Sequence, residues 1–328
     1  METPSWIESL DPQVPLKSLV EEVNKIYHSF DASQYDREHP EIHRQLPPIW
    51  DEMIARLPHA NSWIVLDVGC GTGFEASQLL SKAGNHVAKL IAYDPSREMI
   101  AICKTRLEKF PQVAFCAELE EVHSLGPFNL LLTNSLLHHL PNIGETIESL
   151  LPDLTSDAVW LAGHEPSARF YRNNECLKLL KDYRLFHKRM KWLESGNYVA
   201  KLRMMLGNHP LRATAQAAYK RGLFSKLPSV TVIERIVDFH VAHSVDEVAQ
   251  GRGLDIERMR VSFRHDWKLD WSKTYSFLGP HSYASAPESW VKKARLLEMQ
   301  YPADGANFCM VWHRESNSVT ANSTHAPI

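Results

Sequence analysis

The chain has 328 residues, of which 44% are apolar and 23% charged, values typical of a globular protein with a sizeable buried core. Its formal net charge is −3 and its pI about 6.6, so the overall basic field expected of a nucleic-acid-binding protein is absent. Five dispersed cysteines without CxxC spacing argue against a disulfide framework or a structural zinc site. The N-terminus lacks a secretory signal pattern, and no run of about 18 apolar residues is present to span a bilayer. We therefore expect a cytoplasmic protein with neither a nucleic acid nor a membrane as partner.

The N-terminal region, residues 1–60, predicts a helical cap segment. Apolar residues recur at helical spacing over 16–30, which predicts a helix there. Residues 31–48 are polar and rich in turn-forming types, and WDEMIARL at 50–57 predicts a second, short helix.

Residues 61–165 alternate regularly between two kinds of pattern. Continuous apolar runs predict strands at 63–68, 88–94, 112–117, 128–134 and 158–163. The intervening segments predict helices over 74–84, 96–110 and 141–154. Such alternation indicates parallel βαβ units with a sheet that is buried on both faces.

The pattern changes after the fifth strand. Residues 166–250 predict a helical insertion that could serve as a substrate lid. Residues 251–314 return to the α/β core, and the polar tail 315–328 predicts disorder. The last elements of the core are predicted as strands over 259–267 and 307–314 with a helix over 287–300 between them. The predicted fold class is α/β, a doubly wound, mostly parallel seven-stranded sheet with a helical insertion before the last strands.

The strongest motif is VLDVGCGTG, which joins the first strand of this core to its first helix. Its glycines, Gly69, Gly71 and Gly73, permit a sharp turn and a close approach of a ligand to the backbone. A dinucleotide-binding turn would have a further glycine at position 74, where Phe74 stands. Asp67 precedes the first glycine by two residues, and a carboxylate there suits the ammonium of a methionine moiety better than a phosphate.

A second acidic residue, Asp94, ends the second strand. An acid at this position accepts hydrogen bonds from the hydroxyl groups of a ribose. Dinucleotide-binding proteins place an acid in the same position, so Asp94 supports nucleoside binding in general.

With these motifs the chain resembles the class I S-adenosylmethionine (SAM)-dependent methyltransferase family. VLDVGCGTG is similar to the family's first motif, IAYDPSREMI to its second-strand motif, and NSLLHHL to its fourth-strand exit. The resemblance covers residues 63–163 well and 255–314 only by the order of elements. It implies SAM as the cofactor, methyl transfer by in-line displacement, and a seventh strand antiparallel to the others.

The resemblance also implies roles for single residues. The glycine turn and Asp67 would hold the methionine part of SAM, Asp94 the ribose, and Glu118 the adenine amino group. The adenine match is blurred, because the family's usual Gly-Asp pair reads Cys116-Ala117 here. The implied cofactor-binding residues are Asp67, Gly69, Cys70, Gly71, Gly73, Asp94, Pro95, Ala117, Glu118 and Asn134.

Three residues at strand ends are candidate catalytic bases, His139, His164 and Glu165, because ligands of such sheets bind at the carboxyl ends of strands. A base is needed only where the acceptor is protonated. His139 is favoured by analogy with the family, although paired histidines also pack or cap without catalysing. A metal site formed by His138, His139 and His164 lacks any established spacing, so we expect no metal.

Two segments are candidates for binding the acceptor. Arg169, Tyr171 and Arg172 follow the fifth strand and could bind a carboxylate or another polar group, or could simply form a solvated helix turn. Tyr35, beside Asp36, lies in an N-terminal segment that in this family often closes over the cofactor.

The sequence thus favours a SAM-dependent methyltransferase that acts on a nitrogen or oxygen of a small molecule. A protein or RNA methyltransferase and a non-catalytic SAM-binding relative are the alternatives. The near-neutral pI and the lack of an Asn-Pro-Pro-Tyr motif at Asn134 disfavour a nucleobase acceptor. The glycine spacing disfavours a nicotinamide oxidoreductase, and the sequence gives no signal for the oligomeric state.

Overall fold

The protein is described by a computed structural model that covers residues 4–58, 62–194, 210–242, 252–263, 265–279 and 286–315. Its strands form one seven-stranded sheet in the order β3-β2-β1-β4-β5-β7-β6. Strands β1 to β5 run parallel, and β7 pairs antiparallel with both β5 and β6. This confirms the predicted fold class and the antiparallel last strand. The strands are β1 Trp63–Val68, β2 Val87–Tyr93, β3 Val113–Cys116, β4 Phe128–Asn134, β5 Leu154–Pro166, β6 Trp267–Tyr275 and β7 Asn307–Arg314.

Helices cover both faces of the sheet and extend beyond its carboxyl edge. A short 3₁₀ turn, Leu137–His139, follows β4 directly. The helices of the described residues are α1 Ser5–Glu8, α2 Leu16–Asp31, α3 Tyr35–Glu38, α4 Pro40–Ile54, α5 Phe74–Ala83, α6 Arg97–Leu107, α7 Leu119–Val122, α8 Ile143–Leu150, α9 Ala168–Arg172, α10 Asn174–Glu194, α11 Pro210–Lys220, α12 Val230–Val237, α13 Phe239–Ala242, α14 Ile256–Ser262 and α15 Glu288–Gln300.

The two faces of the sheet bury separate apolar cores. Successive residues of a strand point to opposite faces, so Val65 packs in one core and Leu66 in the other. The second core contains a stacked pair, Trp160 and Trp312, with ring centroids 6.0 Å apart. Burial on both faces explains why these strands are read from the sequence as continuous apolar runs.

The prediction of a strand over residues 259–267 is wrong. The chain there forms α14, and the strand starts only at Trp267. The Asp255 side chain caps this helix by accepting the N–H groups of Glu257 and Arg258 at 3.1 and 3.4 Å. Such a cap satisfies N–H groups that lack a partner within the helix. This stabilises a helix in a segment whose composition favours a strand.

The turn-rich interpretation of residues 31–48 is also wrong in its second half. Helix α4 begins at Pro40, where a missing N–H is harmless, and continues through Pro47 and Pro48. Leu46 and Trp50 on one side of it are fully buried against the sheet. Burial of this apolar stripe stabilises the helix against the cost of its internal prolines.

A helical cap, defined here as α2, α11 and α12, stands beside the carboxyl edge of the sheet. Leu19, Val23, Phe224 and Ile233 are buried together between these three helices. The first helices after β5, α9 and α10, pack instead with α15 in a separate cluster. The region predicted as one insertion, residues 166–250, therefore contributes to two clusters, and its residues 195–209 and 243–250 lie outside the described ones.

The described residues also bear on the expectations about membrane spans and cysteines. None of the described helices combines the length and the apolar character that crossing a bilayer requires. All five cysteines are buried and carry free thiols. The tail predicted as disordered, beyond residue 315, lies outside the described part of the chain.

Candidate functional site

A cavity of about 480 Å³ lies between the carboxyl ends of β1, β2 and β4 and the helical cap. This volume falls within the range of roughly 300–1,000 Å³ that is usual for small-molecule sites. The glycine turn, the end of β2 and the end of β4 form one wall, and α2 forms the opposite wall. The cavity therefore lies where ligands bind in open α/β sheets.

The glycine turn is shaped by three left-handed backbone conformations, with φ of +70° at Gly69, +50° at Gly71 and +83° at Gly73. The backbone N–H groups of Gly69 and Cys70 both donate to the carbonyl of Tyr93, at 2.8 and 2.9 Å, which ties the turn to β2. A Cβ on Gly73 would lie 2.7 Å from the sulfur of Cys103, whereas the nearest atom to one on Gly71 would be 3.9 Å away. Gly73 is thus needed for packing, while Gly71 leaves a space on the cavity wall.

Asp94 is held rigidly beside this turn. Its Oδ2 accepts the N–H of Gly71 at 3.0 Å and its Oδ1 accepts the N–H of Ser96 at 2.8 Å. Burial raises the pKa of Asp94 to about 6, although both backbone hydrogen bonds oppose that shift. The carboxylate lies on the cavity wall, and each of its oxygens retains a lone pair for a further donor.

Asp67 and Glu75 form a buried carboxyl pair behind the turn. Among the described residues no N–H or hydroxyl group donates to either Asp67 oxygen, and the neighbouring group within hydrogen-bonding reach is the Glu75 carboxyl. Burial raises the pKa of Asp67 to about 8, and burial together with the Asp67 charge raises that of Glu75 well above its ordinary value. Both carboxyl groups therefore keep their protons to a higher pH than exposed carboxyl groups do. Glu75 reaches the cavity wall, whereas Asp67 lies behind it.

The predicted adenine contacts lie together at one end of the cavity. Pro95, Ala117 and Glu118 all line it, in agreement with the strand-end argument. The Glu118 side chain is half-exposed and forms a 3.4 Å ion pair with Arg97. Ser96, the N-cap of α6, lines the same end.

Asn134 ends β4 at the opposite end of the cavity. Its Oδ1 is buried and accepts no hydrogen bond from any described residue. A buried acceptor without a donor is costly, so this atom indicates a position where a ligand group would donate.

His139 lines the cavity next to Asn134. Its Nδ1 lies 2.6 Å from the carbonyl oxygen of Val237, which can only accept, so Nδ1 carries the proton. Burial, reinforced by the charge of His138, lowers the pKa of His139 to about 3. The imidazole is therefore neutral at pH 7. His28 of α2 lies edge-on to it, with ring centroids 5.2 Å apart.

The other two predicted bases lie behind the cavity wall. Glu165 is fully buried and accepts the N–H groups of Leu136 and Leu137, both at 2.9 Å, and lies 2.9 Å from Nδ1 of His138. Burial raises the pKa of Glu165 to about 7. His164 is buried with its Nδ1 2.5 Å from the hydroxyl of Tyr275. Glu165 thus positions the turn that carries His139, and neither side chain lines the cavity.

The predicted acceptor-binding residues after β5 also lie away from the cavity wall. Arg169 donates to Asp304 at 2.8 Å, and Arg172 donates to Asp255 at 2.7 Å. Tyr171 packs against the apolar cluster of α9, α10 and α15. These side chains connect the start of the insertion to neighbouring segments.

Tyr35 and Asp36, called the strap below, do lie over the glycine turn, where they line the cavity. Asp36 accepts the hydroxyl of Thr72 at 2.8 Å and pairs with Arg106 and, at 3.2 Å, with His43. Burial raises the pKa of Asp36, but these hydrogen bonds and charges outweigh burial and lower it to about 2. The strap is thereby fixed across the turn.

Several residues of the cavity were missed from the sequence. Thr72 lies inside the glycine motif and Glu75 two residues after its last glycine, so their position in the sequence could have indicated them. His28 has no local signal, since it looks like an ordinary member of an amphipathic helix and reaches the cavity only through the packing of α2.

Comparison with known proteins agrees with this geometry. Residues 65–154 match a family model described as a methyltransferase domain. Over 103 residues the chain is 29% identical to a malonyl-[acyl-carrier protein] O-methyltransferase from Bacillus anthracis, covering 31% of this chain and 38% of that protein. Over 94 residues it is 30% identical to a tRNA U34 carboxymethyltransferase from Shewanella woodyi, covering 27% of this chain and 28% of that protein.

These alignments therefore span only 38% and 28% of the length of the two curated relatives. Among solved structures, the N-methyltransferase NodS from Bradyrhizobium japonicum WM9, in complex with S-adenosyl-L-homocysteine, aligns with a TM-score of 0.46 and 10% identity. That alignment covers 90% of this chain and 98% of NodS.

The strand order and the matched segment define a methyltransferase domain of the Rossmann-like type. The chain thus contains a methyltransferase domain whose motifs resemble those of the class I SAM-dependent methyltransferases.

Proposed function

We propose that this protein is an enzyme that transfers a methyl group from SAM to a nitrogen or oxygen atom of a small-molecule acceptor. The observation that carries the proposal is that the glycine turn, Asp94 and Asn134 share one wall of a cavity whose opposite wall is α2 of the helical cap. These are the residues that the family resemblance assigned to the cofactor.

The cavity fits SAM on three observations. The open space at Gly71 admits a ligand against the backbone, and Asp94 is fixed with lone pairs available for ribose hydroxyls. Asn134 offers a buried oxygen that lacks a donor, as the ammonium of a methionine moiety would supply. When bound, SAM supplies an activated methyl group on a sulfonium.

The chain's own contribution is then alignment and exclusion of water. His28 and His139 present imidazoles to the cavity, and burial lowers the pKa of both. The cap and the strap close the wall opposite the sheet, and a dry site strengthens these polar contacts.

A small acceptor suits this enclosure better than an RNA strand or a folded protein. Helix α2 places Glu21, Asn24, Lys25 and His28 on the cavity wall facing the glycine turn. An acceptor must therefore fit beneath this helix. The two curated relatives differ in the acceptors that their names give, so the choice of a small molecule rests on the cavity.

Calorimetry with S-adenosylhomocysteine, the demethylated product, tests the cofactor half of the proposal. The full chain should bind one equivalent, and Asp94→Ala should weaken binding by about 100-fold, because hydrogen bonds to charged groups are each worth roughly 1.5–3 kcal/mol. Asp51→Ala is the matched control, since Asp51 pairs with Lys82 on the surface at 3.1 Å. Absence of binding to folded wild-type protein, or normal binding by Asp94→Ala, contradicts the proposed site.

Transfer of radioactive methyl groups tests the acceptor half. Pools of small amines, alcohols and carboxylic acids should accept label from SAM, while transfer RNA and protein extracts should not. Labelling of a macromolecule alone would overturn the small-molecule acceptor and leave the cofactor site intact.

A further inference from the structure

Three side chains from distant parts of the sequence converge next to the cavity. His138 and His139 belong to the 3₁₀ turn after β4, and Asp238 directly follows α12 of the helical cap. One potential ligand atom of each lies within 4.8 Å of those of the other two. His138 is buried, and the other two are partly buried.

Both histidines are oriented by a hydrogen bond on Nδ1. His138 Nδ1 lies 2.9 Å from the Glu165 carboxylate, and His139 Nδ1 lies 2.6 Å from the Val237 carbonyl. Glu165 is itself fixed by the N–H groups of Leu136 and Leu137. Metal-binding histidines almost always donate one ring nitrogen to a carboxylate or a backbone carbonyl, because this fixes the ring and makes the other nitrogen a better ligand.

A third imidazole supplies an independent observation. The Nδ1 atom of His28 is buried and has no hydrogen-bond partner among the described residues. The ring lies edge-on to His139 and lines the cavity. Buried polar atoms normally have a partner, so this nitrogen indicates a polar ligand at this end of the cavity.

We propose that His138, His139 and Asp238 bind a divalent transition-metal ion, with Zn²⁺ as the expected occupant. Imidazole nitrogens suit zinc, cobalt and nickel, whereas magnesium and calcium prefer an all-oxygen shell. Three protein ligands leave an open position for a water molecule or a substrate atom, as in catalytic zinc sites. Because His139 lines the cavity, that position is available to a ligand within it.

Metal binding itself does not depend on methyl transfer. The additional role of holding an oxygen, nitrogen or sulfur atom of the acceptor rests on the proposed function. The two can be separated, because metal binding is measured without SAM, and the calorimetry with S-adenosylhomocysteine reports on the cofactor site alone.

The test uses the full chain, stripped with a chelator and titrated with Co²⁺ and then with Zn²⁺. Wild type should bind one Co²⁺ with the intense visible absorption of a four-coordinate ion, and one Zn²⁺ should displace it. His139→Ala and Asp238→Asn should each weaken binding by at least tenfold. Glu165→Gln, which alters the group that orients His138 and accepts the N–H groups of Leu136 and Leu137, should weaken it by about 10–100-fold.

His123→Ala is the matched control, since His123 also pairs with a carboxylate, with Nδ1 2.5 Å from Asp153 Oδ2. It should bind metal as wild type does. Circular dichroism establishes that each variant is folded, and Asp238→Asn, which retains the shape of the side chain, serves if His139→Ala does not fold. If wild type takes up no Co²⁺ or Zn²⁺, or if Asp238→Asn and Glu165→Gln bind like the control, the metal site is overturned.

Discussion

The two walls of the cavity are built in different ways. The sheet wall consists of the glycine turn, Asp94 and Asn134, whose positions follow from strands that end at the same edge. The wall opposite comes from α2, which is held by side-chain packing against α11 and α12. The sheet wall is therefore fixed by backbone hydrogen bonds, and the cap wall by apolar burial between helices far apart in sequence.

Because the two walls are held differently, we expect them to contribute differently to ligand binding and to stability. Backbone groups held in a strand ladder bind the invariant parts of a cofactor with little rearrangement. A wall formed by packed helices can shift or exchange side chains while the sheet stays intact. We therefore expect changes in the sheet wall to abolish cofactor binding, and changes in the cap wall to alter stability and closure.

The largest expected effect is that of Gly71→Val on cofactor binding. The residue has a φ of +50°, which a β-branched side chain adopts only with strain of roughly 1–2 kcal/mol, and its side chain would project into the cavity. We expect the affinity for S-adenosylhomocysteine to fall more than 100-fold by calorimetry. Gly84→Ala is the control, because no atom lies within 4 Å of its Cβ position and its φ is −57°. Similar affinities for the two variants would show that the turn is not a cofactor contact.

The second largest effect is that of Phe224→Ala, in the cap wall, on the stability of the fold. Phe224 is 2% exposed within the cap cluster and does not line the cavity. Truncation of a buried phenylalanine costs roughly 3–5 kcal/mol. Phe224→Ala should lower the unfolding free energy in urea by that amount, with only a modest loss of cofactor affinity in the folded protein. Tyr219→Ala on the neighbouring helix, 44% exposed, should change it by less than about 0.5 kcal/mol. If folded Phe224→Ala lost all binding of S-adenosylhomocysteine, the two walls would not differ in their contributions as proposed.

The same contrast explains how much the sequence predicted. The five strands from Trp63 to Pro166 and the last strand were read correctly, because burial on both faces leaves a continuous apolar pattern. The predicted cofactor residues follow those strand ends, and most of them line the cavity. Here local pattern and tertiary position coincide.

Contacts that depend on packing between distant elements could not be read in this way. His164 and Glu165 stand at the end of β5, yet their side chains lie behind the cavity wall. The pairing of β5 with β7 is irregular between Ala162 and Glu165. His28 and Asp238 reach the cavity region only because the cap helices pack beside the sheet. Sequence spacing alone carries no information about such packing.

A smaller effect, on pH dependence, tests the carboxyl pair beneath the sheet wall. The pKa of Asp67 is raised from its ordinary value of 3.8 to about 8 in the folded protein. The unfolded chain therefore releases this proton at a lower pH than the folded protein does. Stability of the ligand-free protein is then fullest below about pH 4 and falls as the pH rises towards 8, by at most about 1.4 kcal/mol per pH unit. Asp67→Asn should make the decline of the melting temperature between pH 5 and 8 shallower, while the exposed Asp157→Asn should leave it unchanged. A steeper decline in Asp67→Asn would mean that the pair is ionised in the folded state.

The smallest expected effect is that of the strap, which joins the two walls. Asp36 is 35% exposed, so its bonds to Thr72 and Arg106 are partly screened, and Asp36→Asn should cost only about 1 kcal/mol of stability. The pKa of Asp36 is lowered to about 2, so this contribution is present above pH 3.8 and disappears as the pH falls through 2. We expect the affinity for S-adenosylhomocysteine to fall about threefold at pH 7, with Asp51→Asn unchanged. Because Tyr35 of the strap lines the cavity, loss of stability without any loss of affinity would show that the strap stabilises the fold and does not contribute to the ligand site.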